Sequence, residues 1–185
     1  MPGRFRHLLK RLLDCKGGAA LIEFAFAAPI LILVYVSTFV LNDEISCSRK
    51  VPVTARTLAD LTTRYATMST TNLATIMASS PQVLQPYNAA NASVRVSELL
   101  VTSSTTATVV WSSSYRSSGT TTLTALSAGA SVTIPSSMAV TGTYLILGEI
   151  SYAYTPALGL GAQTAMTIYD KSYMSPRLFN AIPLS

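Results

Sequence analysis

Histidine is almost missing from this 185-residue chain: the single one is His7. Cysteine occurs twice, as Cys15 and Cys47, and tryptophan once, as Trp111. Each scarcity removes a class of chemistry. After residue 18 there is no imidazole to serve as a base, and no Cys/His cluster has zinc spacing. No Gly-x-x-x-x-Gly-Lys-Ser/Thr phosphate loop occurs, because Gly159-Leu160-Gly161 lacks both the flanking pattern and the lysine. No cofactor and no metal are therefore expected. What remains for hydrolysis is a carboxylate pair, Glu98 and Glu149, which neighbouring strands could bring together. The plainer reading makes each a solvated or ion-paired strand residue near Arg95 or Arg116. The chain is not expected to be an enzyme.

Charge is also sparse, at 11% of residues, and it is unevenly placed. The net charge is +5, but Arg4, Arg6, Lys10, Arg11 and Lys16 against Asp14 account for most of it within residues 1–18. Nucleic acid is thus an unsuitable partner. Arg95 and Arg116 are too few and too far apart to track a phosphate backbone.

From Ala19 to Leu41 the chain is apolar with one charge, Glu23. About 20 apolar residues cross a bilayer core as a helix. A secretory signal peptide is the rival reading, but its apolar part is roughly 7–15 residues long. Its Ala-x-Ala-like site, Ala25-Phe26-Ala27, would fall inside the run and not after it. Residues 19–41 are therefore expected to be a transmembrane helix in a lipid bilayer, with residues 1–18 as a basic cytoplasmic leader, since flanking positive charge stays inside. Within the leader, Phe5, Leu8, Leu9, Leu12 and Leu13 suggest a short amphipathic helix. Cys15 and Cys47 then lie on opposite sides of the membrane and cannot pair within one chain, although a Cys47 bridge between chains is conceivable in an oxidising compartment.

Glu23 needs a reason. A carboxylate in a span is unfavourable by about 2.5 kcal/mol or more at the helix centre, less toward the end. Glu23 lies five residues after Gly18. Cutting between Gly18 and Ala19 would free an α-amine, and that cation in a neighbouring copy could neutralise Glu23. Pro29 removes a hydrogen bond to the Ala25 carbonyl and is expected to kink the helix. Ala25, Ala27 and Ala28 would let another helix approach closely.

Residues 42–79 read as a helical stem. Leu58, Leu61, Tyr65 and Met68 make an apolar stripe at three- and four-residue steps. Asp60 and Arg64 are spaced as an ion pair, and Pro52 is expected to break or bend the stem. Residues 80–90, with Pro81 and Pro86, read as a linker. Residues 80–185 then form a β-rich head, with strands expected at 92–103, 106–115, 131–134, 143–154 and 164–174. Ala107, Val109 and Trp111 alternate with Thr106, Thr108 and Val110. Tyr144, Ile146, Ile150, Tyr152 and Tyr154 share a face centred on Gly148. Residues 112–130 and 156–161 are loops. Trp111 with Tyr115, Tyr144, Tyr152, Tyr154, Tyr169 and Tyr173 reads as core and rim of a small sheet, or alternatively as a sugar-stacking surface. The fold class is α+β: a long N-terminal helix followed by a small antiparallel sheet.

A basic leader, a glycine, four residues, a glutamate, an aromatic residue and an apolar helix together resemble the prepilin signal of type IV pilins. Gly18-Ala19-Ala20-Leu21-Ile22-Glu23-Phe24-Ala25 with Pro29 is more similar to the TadE/TadG-like minor pilins of the Tad (Flp) pilus. Arg56-Thr57-Leu58-Ala59-Asp60-Leu61, Val110-Trp111-Ser112, Ile134-Pro135, Glu149-Ile150-Ser151-Tyr152-Ala153-Tyr154-Thr155-Pro156 and Tyr173-Met174-Ser175-Pro176-Arg177 resemble segments of the same group in the same order. The resemblance implies an inner-membrane pseudopilin with a periplasmic head. It implies processing by a prepilin peptidase at Gly18 and Ala19, and partner contacts at Glu23 and Phe24 with other pilin and Tad assembly proteins. The head lacks the large insertion of longer, adhesin-like relatives, which favours an assembly role. The competing expectation is a membrane-tethered periplasmic module that recognises an envelope glycan or protein.

Overall fold

The computed structural model describes residues 17–156 and 165–185. The leader residues Phe5, His7, Leu8, Leu9, Leu12, Leu13 and Cys15 and the Gly159-Leu160-Gly161 loop lie outside the described residues. In sequence the chain divides into two compact units between Asp43 and Glu44. One α-helix, α1, runs from Gly17 to Thr63. Neither Pro29 nor Pro52 interrupts it, so Pro52 does not break the stem. Pro52 lies on the exposed side, where the carbonyl that loses its partner can turn to water.

The second unit is an antiparallel sheet of five strands: β1 Ala92–Val101, β2 Thr106–Arg116, β3 Ser131–Thr133, β4 Tyr144–Tyr154 and β5 Met166–Met174. Their order is β3-β2-β1-β4-β5, and every neighbouring pair is antiparallel. This is the expected α+β fold, with strand ends within two residues of those read from the sequence where the chain is described.

One face of the sheet packs on the last third of α1. Cys47, Val51, Ala55, Leu58 and Ala59 form a buried stripe, and they meet Val94, Val96, Ile146 and Ile150 in one core. The contact is close because its residues are small. A Cβ added to Gly148 would stand 2.7 Å from the Ala55 carbonyl oxygen and 3.1 Å from the Ala59 Cβ. The anticipated stripe is therefore partly corrected. Leu58 and Met68 are buried and Leu61 packs at the core's edge, but Tyr65 is exposed because α1 ends before it.

The expected single stem over 42–79 is two helices. At the end of α1, Thr62 and Thr63 turn their hydroxyls back onto the Leu58 and Asp60 carbonyls, a bonding mode that competes with helix continuation. The chain re-enters a helix, α2, at Thr70–Ser79, where the Ser69 side chain caps the Asn72 N–H at 3.1 Å. Between the helices, Met68 forms a parallel bridge with Leu184 of the C-terminal segment. Residues 80–90 are not a loose linker: helical turns occupy Ser80–Leu84 and Ala89–Asn91, and Ser80, Pro81 and Leu84 are buried.

The opposite sheet face carries a second core of Leu99, Val101, Ala107, Val109, Leu145 and Leu147, closed by Ile134, Leu126 and Met138. The Ser/Thr-rich loop after β2 is tied across this face. Leu123 N–H donates to the Ser93 hydroxyl at 2.9 Å and Leu126 N–H to the Ser112 hydroxyl at 3.0 Å. The Thr121 hydroxyl lies within hydrogen-bond distance of the Asn91 and Ser151 carbonyls. Serines inside strands thus anchor a loop that buries little apolar surface of its own.

Trp111 departs from the expected alternation. Glu98 pairs with Trp111 while Leu99 pairs with Val109, so Val110 is an extra residue in β2. Such a bulge shifts the side-chain phase. Ala107 and Val109 face the second core, Trp111 and Tyr115 face the helix-side core, and Val110 is exposed.

Candidate functional site

The residues that the sequence singles out for processing and assembly all lie in the first half of α1. Gly18 is half-exposed, and a Cβ there would meet nothing within 4 Å. Ala19 follows in the same helix. Glu23, Phe24 and Pro29 are exposed. So are Leu21, Ile22, Phe26 and each residue from Ile30 to Tyr35. This is one helix long and apolar enough to cross a membrane, near the N-terminus. Glu23 is the single charged side chain between Ala19 and Leu41, in a stretch that otherwise offers mainly hydrocarbon and aromatic surface.

The carboxylate pair considered for hydrolysis is not assembled. Glu98 pairs directly with Ile146 across β1 and β4 and shares its helix-side face, whereas Glu149 pairs with Arg95 on the other face. The sheet separates them. Arg95 grips Glu149 through two guanidinium nitrogens, at 2.5 and 2.7 Å, and donates to the Thr124 carbonyl at 2.8 Å. The Tyr169 hydroxyl donates to Glu149 at 2.5 Å. Partial burial and the adjacent Glu149 carboxylate hold this phenol well above its ordinary value. Arg95, Glu149 and Tyr169 therefore form a satisfied structural triad. Arg116 donates to Thr122, so neither arginine considered for polyanions is part of a basic stripe.

Glu98 is buried for another purpose. Its carboxylate accepts the Ile182 N–H at 2.5 Å, and the Trp111 indole N–H donates to the Ile182 carbonyl at 2.8 Å. Burial pushes the Glu98 pKa up, partly offset by those donors. Beyond Ile182 the chain is held by Met68 N–H to Pro183 O and Ser185 N–H to Met68 O, both at 2.9 Å. Upstream, Arg177 pairs with Asp60, which also binds Arg64 at 2.6 Å. The two arginines hold Asp60 below its usual range, Arg64 most strongly.

Comparison with protein-family models, with curated proteins and with solved structures finds no match.

The aromatic residues divide as a core and its rim. Trp111, Tyr152 and Tyr154 are buried, Tyr115, Tyr144 and Tyr173 are half-buried, and Tyr169 is exposed but bonded to Glu149. Cys47 is a fully buried thiol in the helix–sheet core, which withdraws it from any bridge between chains. Among the described residues no group of three His, Cys, Asp or Glu side chains is placed to hold a metal ion. Sequence reasoning missed the docking of the C-terminal segment. The available signal was parity: Glu98 follows Val94 and Val96 at two-residue steps, so it had to share their buried face.

Proposed function

We propose that the protein is a membrane-anchored minor pilin, or pseudopilin, of the TadE-like kind that takes part in assembling a Tad (Flp) pilus. The observation that carries this reading is the division of labour along α1. Its first part is exposed and apolar with Glu23 as the single acid, and its last part is the buried backing of an antiparallel sheet. A helix that serves lipid and other helices at one end, and its own sheet at the other, suits a subunit that is stored in a membrane and drawn into an assembly.

In this reading the N-terminus is cytoplasmic, the sheet unit is periplasmic, and the membrane is the bacterial inner membrane. A prepilin peptidase cuts after Gly18. The freed amine of one copy meets Glu23 of another, and an ion pair that loses water on both sides is strong where the local dielectric is low. Phe24 packs beside it in the helix contact.

Mass analysis of the protein extracted from membranes of a piliated host tests this. The expected N-terminus is Ala19. An intact Met1 terminus in such a host defeats the processing step, and with it the pairing assigned to Glu23.

A further inference from the structure

A cleft of about 660 Å³ opens in the sheet unit between the end of α2, the helical turns that follow it and the end of β2. Small-molecule sites commonly occupy roughly 300–1,000 Å³. No charged side chain lines it: its chemistry comes from Tyr87, Tyr115, Gln82, Gln85, Asn88 and Ser117, with prolines and alanines between them. We infer that this cleft is a binding site for a neutral saccharide.

The aromatic rings are fixed in place. Tyr87 stands edge-on to the buried Tyr154, with ring centres 6.3 Å apart and planes at 75°. Tyr115 packs against the helix-side core from the end of β2. Rings already ordered by the fold lose little freedom on binding, and they offer the C–H face of a sugar an apolar surface. The loop beyond β2 is also pinned, since a Cβ at Gly119 would fall 2.8 Å from the Asn91 Cα.

The carboxamides supply the polar half. Gln85 and Gln82 bond to each other at 3.3 Å. Whichever way each amide is turned, that bond uses one carbonyl and one N–H, and an amino group and a carbonyl remain to serve a ligand. The Asn88 side-chain oxygen accepts the Ala90 N–H at 3.0 Å, which leaves its amino group. A hydroxyl both donates and accepts, so paired amide donors and acceptors match it. An anionic ligand would leave its charge without a cation here, and a metal would find no carboxylate. A proline-rich peptide wants an apolar aromatic groove; three carboxamides in the lining favour a polyhydroxylated ligand instead.

The test uses the full chain in zwitterionic, sugar-free micelles. Saturation-transfer NMR is recorded with cellotriose, maltotriose, mannotriose and the N-acetylglucosamine trimer, and with a proline decapeptide. Saturation transfer to at least one trisaccharide is expected. Gln82→Ala, an exposed position, and Tyr115→Ala are each expected to weaken it tenfold or more, with Trp111 fluorescence unchanged for Gln82→Ala. Arg116→Ala, outside the lining, should leave it intact. No transfer to any trisaccharide overturns the proposal. So does binding indifferent to Gln82→Ala, or a decapeptide that binds more tightly than every sugar. The outcome is independent of whether Ala19 is the mature N-terminus.

Discussion

Glu98 and Trp111 face each other across β1 and β2, and between them they take both backbone polar groups of Ile182. A β pair has thereby captured one residue of the C-terminal segment without adding a strand. The arrangement sets the pH response of the sheet unit. The Glu98 pKa is raised above its ordinary 4.5 by burial. The folded state then holds this proton more tightly than the unfolded state does. Glu98 therefore favours folding below about pH 4.5, and its contribution is lost as pH rises to the folded-state pKa. Glu98→Gln keeps an acceptor for Ile182 and is expected to flatten that decline, matching or exceeding the parent at pH 7. Glu98→Ala orphans a buried N–H and should lower stability by about 1–3 kcal/mol. Urea titrations across pH 4–8, read by the fluorescence of Trp111, check both.

Asp60 and Arg177 give the opposite sign. The Asp60 pKa is depressed, chiefly by Arg64 and then by Arg177. Its contribution is present above the unfolded carboxylate value and is lost as pH falls through the folded one. Both arginines are more than half exposed, so the pairs are worth no more than about 1 kcal/mol each. Asp60→Asn should therefore destabilise slightly at pH 7 and not at all at strongly acid pH. Arg177→Ala keeps the main-chain N–H bond to the Thr63 carbonyl and removes only one of the two partners of Asp60, so its loss should not exceed that of Asp60→Asn.

The strands were legible because period-two alternation survives in β4: Ile146, Gly148, Ile150, Tyr152 and Tyr154 occupy the face expected of them. Three other features could not be read. The β2 bulge at Val110 depends on register with β1, which no local pattern in β2 encodes. Between the two helices, the burial of Met68 rests on its bridge with Leu184, a contact 116 positions away in sequence. The saccharide cleft is built from α2, two turns and β2, and each piece looks like ordinary linker or rim by itself. Of the candidate assembly site, Glu23 stood out in the sequence because a lone acid in a long apolar run is conspicuous without any tertiary information.

Two glycines should respond in opposite ways. Gly148 admits no side chain, because the Ala55 carbonyl oxygen is 2.7 Å from where a Cβ would lie. Gly148→Ala must push α1 off the sheet, and overpacking of this sort costs about 1–3 kcal/mol. Gly18 has open space around it. Gly18→Val should leave urea stability unchanged while blocking removal of residues 1–18, because a peptidase pocket shaped for glycine does not admit a branched side chain. Gel mobility of the membrane-extracted variants, beside their unfolding curves, separates the two effects.

The last expectation concerns the acid in the apolar helix. In the proposed anchoring, insertion into a bilayer is driven by the exposed hydrocarbon of residues such as Leu21, Ile22, Phe26 and Ile30. Glu23 opposes it by up to about 2.5 kcal/mol on an insertion scale. Glu23→Ala should therefore insert at least as well as the parent. If Glu23 served only as a tolerated surface acid, nothing else would change. In the proposed assembly it neutralises the α-amine of a neighbouring copy, and removing it strands that cation in a medium of low dielectric. Co-purification with partner pilins should then fall by tenfold or more while the membrane-bound amount holds steady. Glu23→Gln should fail almost as badly, since the amide keeps shape and hydrogen bonding but not charge. Glu23→Asp should retain part of the association. Equal recovery of partners by all three variants would leave the carboxylate without the role assigned to it.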